Sequence, residues 1–352
     1  MPFQCLVKTA HWPGLLVILA LLEMSGLFNQ AEGAGAEAKP PTFTTLTGCS
    51  GKSIEAYGMP RDVYGTWMGR SSWKDLAQGN WLMTEASGVP QWRRDHFDRA
   101  LDVGVPLVPT DSKQDLDAML RQAAAGTQDE TYRSLGRCLA VYGTRTVFAR
   151  LWWEFNMPPA RQDPKLFVAA WRRAVPLLRA GFRAAARPGQ TLSVVWCTNA
   201  GAPSPEPFYP GDDMVDVIGS DTYGWVWGGS DPTTRQMLAH IRTEPYMLDW
   251  QAQFANQHRK PTCLGEWANV AKKGDKPNDS HGIGDCPEYI DTIYDWAQTC
   301  KYGCRYVCYF NIADGGVLIT LDQTPASVAR LKVRAAQAKR RPINKAVVAP
   351  RL

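Results

Sequence analysis

The strongest constraint on the fold is an alternation. Strand-length apolar runs recur along the chain, and amphipathic helical segments separate most of them. The runs are Val63–Met68, Asn80–Thr84, Val103–Pro109, the apolar part of Thr146–Pro159, Thr191–Cys197, Met214–Asp221, the core of Lys260–Val270, and Arg305–Phe310. Helical spacing marks Asp95–Asp102, Asp115–Ala125, Glu130–Tyr142, Pro164–Ala186, Gln236–Gln257, Glu288–Cys300 and Pro325–Ala338. Eight strands alternating with helices predict an α/β fold, a single (β/α)8 barrel over residues 61–338. No G-x-G-x-x-G follows the first strand, which argues against a dinucleotide fold. The sequence carries no sign of a bound cofactor or metal. The Pro/Thr-rich residues 39–60 read as a linker into the barrel.

The termini read differently. Lys8, the apolar Gly14–Leu22 and the small-residue site Ala36-Glu37-Ala38 predict an export signal over residues 1–38. The apolar run is too short to span a bilayer, so the mature chain is expected in an extracytoplasmic space, without membrane insertion and as a monomer. The net charge is +5. Much of the surplus lies in Lys332–Arg351, a basic tail rather than a stripe on one face, which argues against nucleic-acid binding. Residues 339–352 are expected to be a dispensable tail.

Of nine cysteines, Cys5 lies in the signal. The other eight, Cys49, Cys138, Cys197, Cys263, Cys286, Cys300, Cys304 and Cys308, are an even number in an exported chain and predict disulfides of unassigned pairing. Cys300, Cys304 and Cys308 are spaced by four, as metal ligands on a helix would be. Gly303 and the β-rich run after it argue for a helix end and a strand start instead.

Two strand ends carry the chemistry. In Thr146–Pro159 (TVFARLWWEFNMPP) an apolar, aromatic run stops at Glu154 before a polar break. Side chains alternate along a strand, so Arg150, Trp152 and Glu154 are expected on one side. In Lys260–Val270 (KPTCLGEWANV) a buried run ends at Glu266, after a glycine that lets another group approach. Catalytic groups of a (β/α)8 barrel sit at such C-terminal strand ends. Two carboxylates there suffice for glycoside hydrolysis, one donating a proton and one acting as nucleophile or base. Each glutamate could instead cap a strand or pair with an arginine; the aromatic surroundings favour catalysis.

Those surroundings are Trp67, Trp153, Asn156, Trp196, Asn199, Asp221, Tyr223, Trp225, Trp267 and Asn311. Aromatic faces with Asn and Asp hydrogen-bonding groups suit a sugar. Trp152 and Trp171 are assigned to packing. Arg150 and Tyr223 are placed to hold Glu266 ionised. Glu154 needs the opposite, a pKa raised by desolvation, for which Trp153, Phe155 and Met157 are the expected source.

The pattern R-x-x-W-E-x-N at Arg150–Asn156 is similar to the R-x-x-H-E-x-N acid/base strand of glycoside hydrolase family 26. Val195-Trp196 with Asn199, the GSDTYG of Gly219–Gly224 and Gly265-Glu266 resemble that family's fifth, sixth and nucleophile strands, in matching order over residues 60–315. The resemblance implies a (β/α)8 barrel and retaining hydrolysis of a β-linked polysaccharide, with Glu154 as acid/base and Glu266 as nucleophile. Trp153 stands where the family has histidine, and Met157-Pro158-Pro159 replaces its Gly-x-Trp. The expected function is therefore a secreted retaining endo-β-glycanase, acting on a mannan-like or exopolysaccharide substrate. A transglycosylase and a non-catalytic glycan-binding barrel are the alternatives. Loss of the histidine favours the latter, and retention of both glutamates favours catalysis.

Overall fold

The computed structural model describes residues 45–157, 162–227, 231–272, 280–313 and 320–339. The expected export signal, residues 158–161 and the tail beyond 339 lie outside them. Among the described residues nine strands form, β1 Leu46–Gly51, β2 Val63–Trp67, β3 Ala100–Val105, β4 Thr146–Leu151, β5 Thr191–Asn199, β6 Val217–Trp227, β7 Thr262–Asn269, β8 Ser280–Gly282 and β9 Cys304–Asn311. Their order is β5-β4-β3-β2-β1-β9-β7-β6-β8, and β5 also pairs with β6. That last pairing closes eight parallel strands into a barrel. The short β8 stands apart, antiparallel to the end of β6. The expected (β/α)8 barrel is thus the observed fold.

Four expectations are corrected. Leu46–Gly51, read as linker, is the first barrel strand, paired with β2 on one side and β9 on the other. Four of its six residues are buried. Its small side chains, Thr47, Gly48, Cys49 and Ser50, carry little of the apolar signal that marks a strand.

Asn80–Thr84, read as a strand, begins with the short helix α2, Asn80–Met83. It follows α1, Trp73–Gln78, across Gly79, whose φ of 58° turns the chain. Only Leu82 of α2 is buried, while Trp81 and Met83 are exposed.

Asp95–Asp102 is not a helix. The helix α3 spans Val89–Asp95, and Ala100, Leu101 and Asp102 already belong to β3. Gln236–Gln257 divides into α7, Thr234–Thr243, and α8, Leu248–Gln257. The break holds Pro245 and Tyr246, the latter at a φ of 62°.

The core has two layers. Leu101, Val103, Val147, Ala149 and Val194 face outward from the strands to the helices α4 (Leu116–Ala125), α5 (Asp129–Tyr142) and α6 (Pro164–Ala185). Trp171 of α6 lies in this layer, fully buried, as assigned. The barrel interior is lined by Val63, Ala100, Phe148, Val195, Cys197, Val217, Cys263, Tyr306 and Cys308.

Beyond these helices, α9 spans Pro287–Thr299, and the last helix, α10, spans Pro325–Lys339. Their ion pairs, Arg330–Asp291 at 2.6 Å and Arg334–Asp295, tie them together. Leu331 and Ala335 bury the inner face of α10.

The disulfide expectation fails among the described residues, where all eight cysteines are unpaired. Seven of them are buried, used as small core side chains. Cys197, Cys263 and Cys308 line the barrel interior, and the Cys300 thiol lies against the Trp296 carbonyl and the Thr262 hydroxyl. Among the described residues no group of His, Cys, Asp and Glu could hold a metal ion. No described helix is long and apolar enough to cross a membrane.

Candidate active site

β4 ends at Leu151, and the chain then turns sharply. Trp152 and Glu154 adopt φ of 44° and 55°. Side chains other than glycine rarely adopt this conformation, at a cost on the order of 1–3 kcal/mol each, and such residues cluster at functional sites. Backbone bonds from Trp152 N to Val105 O (2.6 Å) and from Glu154 N to Cys197 O (3.0 Å) hold the turn.

The turn corrects the simple alternation. Arg150 points into the barrel, whereas Trp152 packs outward on Phe167 at 5.5 Å between ring centres, in the packing role expected of it. Glu154 returns toward the cleft because the left-handed residues reverse the chain twice.

Glu154 Oε1 accepts one hydrogen bond, from Asn199 Nδ2 at 2.7 Å. Burial, followed by the negative charge of Glu266, pushes its pKa up to about 7, against the pull of Arg150 and Arg70. The expected source of this desolvation is only partly right. Phe155 turns away into the core against Phe167, Trp196 and Phe208, and Met157 is 46% exposed.

Glu266 has a different set of partners. Its Oε1 accepts from Arg150 Nη1 at 2.9 Å and from Trp67 Nε1 at 2.8 Å, and its Oε2 from the Tyr223 hydroxyl at 2.7 Å. Three donors, one of them cationic, thus fix the position of this carboxylate. Arg150 reaches it over Gly265. A Cβ at Gly265 would fall 2.4 Å from Arg150 Cδ and 2.8 Å from Asp221 Oδ1, so only glycine fits there.

The other expected site residues divide into two groups. Trp67, Trp153, Asn199 and Tyr223 line the cleft, all partly buried. The Trp67 and Trp153 rings meet over Gly104 of β3, whose Cβ would fall 2.4 Å from Trp67 Cδ1 and 3.0 Å from Trp153 Cε3. Trp225 stands behind Tyr223, edge to face at 6.3 Å.

The second group does not face the cleft, which corrects its expected contact with a ligand. Trp196 is fully buried against Phe254 and Tyr209, with Nε1 donating to Phe208 O. Trp267 is buried against Tyr289 and Tyr309. Asn311 joins the β1 end to the last segment, donating to Lys52 O and accepting from Leu321 N. Asn156 donates to Asn199 O and Pro203 O and accepts from Asn199 N, so it holds the residue that bonds Glu154. Asp221 lies under the site, paired with Arg150 Nη1 at 3.0 Å. Trp196 and Trp267 each stand one residue from an inward-facing side chain, Cys197 in β5 and Glu266 in β7, so strand alternation turns them outward to the helices; Asn156 lies beyond the turn after β4, where alternation does not apply.

Sequence reasoning missed Phe310, whose ring lies 5.5 Å from that of Trp67 and 6.1 Å from that of Tyr223. Its spacing of two from Cys308 and four from Tyr306 was the available signal. Arg70 was also missed. Its guanidinium stacks 5.2 Å from the Trp153 ring and pairs with Asp111 at the rim.

Comparisons with known proteins agree with this geometry. Residues 151–241 match the model of glycosyl hydrolase family 26. The solved structures similar to this chain include a Cellulomonas fimi endo-β-1,4-mannanase double mutant. The two are 16% identical, with a TM-score of 0.55 over 83% of this chain and 70% of that one. They also include the catalytic domain of a Bacillus sp. JAMB-750 family 26 endo-β-1,4-mannanase, 13% identical, with a TM-score of 0.55 over 83% and 86%. A comparison with curated proteins finds no match. At such identities the solved structures speak for the fold, and the family match covers the segment that carries Glu154, Asn199 and Tyr223. Over residues 151–241 the chain is thus similar to glycosyl hydrolase family 26, and it shares the (β/α)8 barrel of that family's solved glycoside hydrolases.

Proposed function

We propose that this glycoside hydrolase is an exported, monomeric, retaining endo-β-glycanase with Glu154 as acid/base and Glu266 as nucleophile. The observation that carries the reading is the contrast between the two carboxyls. Glu154 is half-buried with a single amide donor and a pKa pushed to about 7, while Glu266 receives three donors including Arg150. Paired carboxyls with divergent environments are how one site supplies both an acid and a base at neutral pH.

In the first step Glu154 gives its proton to the glycosidic oxygen as that bond breaks, and Glu266 attacks the anomeric carbon from the other face. In the second, ionised Glu154 takes a proton from water, which displaces Glu266 and regenerates both groups. Trp67 and Trp153 offer flat apolar faces to the sugar ring. Similar solved structures are endo-β-1,4-mannanases, and together with the β-linked substrates implied by the motifs they favour a β-linked polysaccharide of mannan type. Trp153 in place of histidine favours a shifted sugar preference at the cleavage point.

Glu154→Ala tests the assignment. It is expected to retain turnover of aryl β-glycosides with good leaving groups and to form a β-glycosyl azide when azide is added. Equal losses on good and poor leaving groups, or an α-azide, would overturn it.

A further inference from the structure

Beneath the two glutamates lies a buried charged cluster, two of whose members, Asp102 and Tyr306, stand outside the motifs. Arg150 is fully buried and faces carboxylates from three other strands, Asp102 on β3, Asp221 on β6 and Glu266 on β7. Asp102 takes the Arg150 Nε with both oxygens, at 3.0 and 3.2 Å. Tyr306 of β9 donates its hydroxyl to Asp102 Oδ1 at 2.7 Å, and its ring packs on Phe148 at 4.6 Å.

A guanidinium is planar and rigid, so fixing Nε fixes where Nη1 points. With Nε held by Asp102, Nη1 meets Glu266 and Asp221 at 2.9 and 3.0 Å. Asp221 alone could not impose this orientation, because it shares Nη1 with Glu266 and leaves the guanidinium free to pivot about that atom.

The geometry points to Asp102, held by Tyr306, as a positioning residue for Glu266. It acts through Arg150 and touches no substrate. The inference rests on the reading of Glu266 as nucleophile.

The groups facing Asp102 are Arg150, Tyr306 and Glu266, with the Cys263 and Cys308 thiols beyond them. Burial raises Asp102 to about 6, while Arg150 and the Tyr306 hydroxyl favour its charged form. If ionised Asp102 sets Arg150, activity falls on the acid side of about pH 6 as Asp102 takes up a proton.

Two variants test this, Asp102→Asn and Tyr306→Phe, assayed on 2,4-dinitrophenyl β-mannoside, β-glucoside and β-xyloside. Asp102→Asn should lower kcat by about 10²-fold, the usual effect of a misplacement of about 1 Å, with KM changed less than about twofold. It should also abolish the acid limb that Asp102 contributes. Tyr306→Phe keeps the ring packing, should lower kcat less, and should move that limb to higher pH. Crystal structures of both variants supply a readout independent of any substrate, and the 2.9 Å contact between Arg150 Nη1 and Glu266 should open by about 1 Å in Asp102→Asn. Arg150 left in place in the crystals, or pH profiles identical to wild type, would overturn the inference. If Asp102→Asn does not fold, Tyr306→Phe decides by both readouts. A wild-type protein inactive on all three glycosides would refute the proposed function, and the crystal structures would still decide the role of Asp102.

Discussion

Glu154→Gln should abolish proton donation and at the same time stabilise the protein, in a pH-dependent way. Glu154 is half-buried, and burial raises it from 4.5 to about 7. At about 1.36 kcal/mol per pH unit, holding it ionised in the folded state costs on the order of 3 kcal/mol. The sign follows from proton counting. Between pH 4.5 and 7 the folded chain binds this proton and the unfolded chain does not, so stability falls as pH rises through that window. Below 4.5 both states are protonated and the cost vanishes; above 7 it is present in full. Glutamine keeps an oxygen to accept from Asn199 and never ionises. Urea unfolding of wild type and Glu154→Gln at pH 5 and pH 8 measures the difference. The variant should be more stable by up to about 3 kcal/mol at pH 8 and by much less at pH 5. Equal stability at pH 8, or the same gain at both pH values, would refute the reasoning.

Other consequences follow from the same geometry. Tyr223→Phe removes one of three donors to Glu266 and should lower kcat about 10- to 100-fold, in keeping with a charged hydrogen bond worth about 1.5–3 kcal/mol, as measured by steady-state kinetics. Gly265→Ala places a methyl against Arg150 and Asp221 and should cost about 1–3 kcal/mol in urea unfolding as well as activity. Asn156→Ala takes the side-chain partner from part-buried backbone groups of Asn199 and Pro203. It should cost about 1–3 kcal/mol of stability and loosen Asn199, lowering kcat more than it raises KM. Truncation after Ala338 should leave folding intact, since Leu331 and Ala335, which bury α10, are retained; the thermal unfolding midpoint checks this.

What the sequence makes legible follows physical cause. Strands rich in β-branched and aromatic residues announce themselves, and so β4, β5, β7 and β9 are read in place. β1 is hidden because Thr47, Gly48, Cys49 and Ser50 fit a crowded barrel wall without an apolar signature. Asp102 is hidden because only the short turn His96–Arg99 separates α3 from its strand, so the helical spacing of Phe97, Ala100 and Leu101 misleads. Both glutamates and the Glu266 partners Arg150 and Tyr223 are legible, since each ends or underlies a strand. The aromatic residues are the weaker part of the reading. Trp196 and Trp267 serve the core because each stands one residue from an inward-facing side chain, and for Trp152 and Glu154 the positive φ has no simple sequence signal.

The assignment of Glu154 and Glu266 is tested most directly by trapping the intermediate. The wild-type protein is incubated with a 2,4-dinitrophenyl 2-deoxy-2-fluoro-β-glycoside whose parent sugar it turns over, then digested and mapped by mass spectrometry. The expected result is one added fluoroglycosyl group on the peptide containing Glu266, and none on the same peptide from Glu266→Gln. A label on another carboxylate, or an α-configured first product by proton NMR with no label at all, would contradict it.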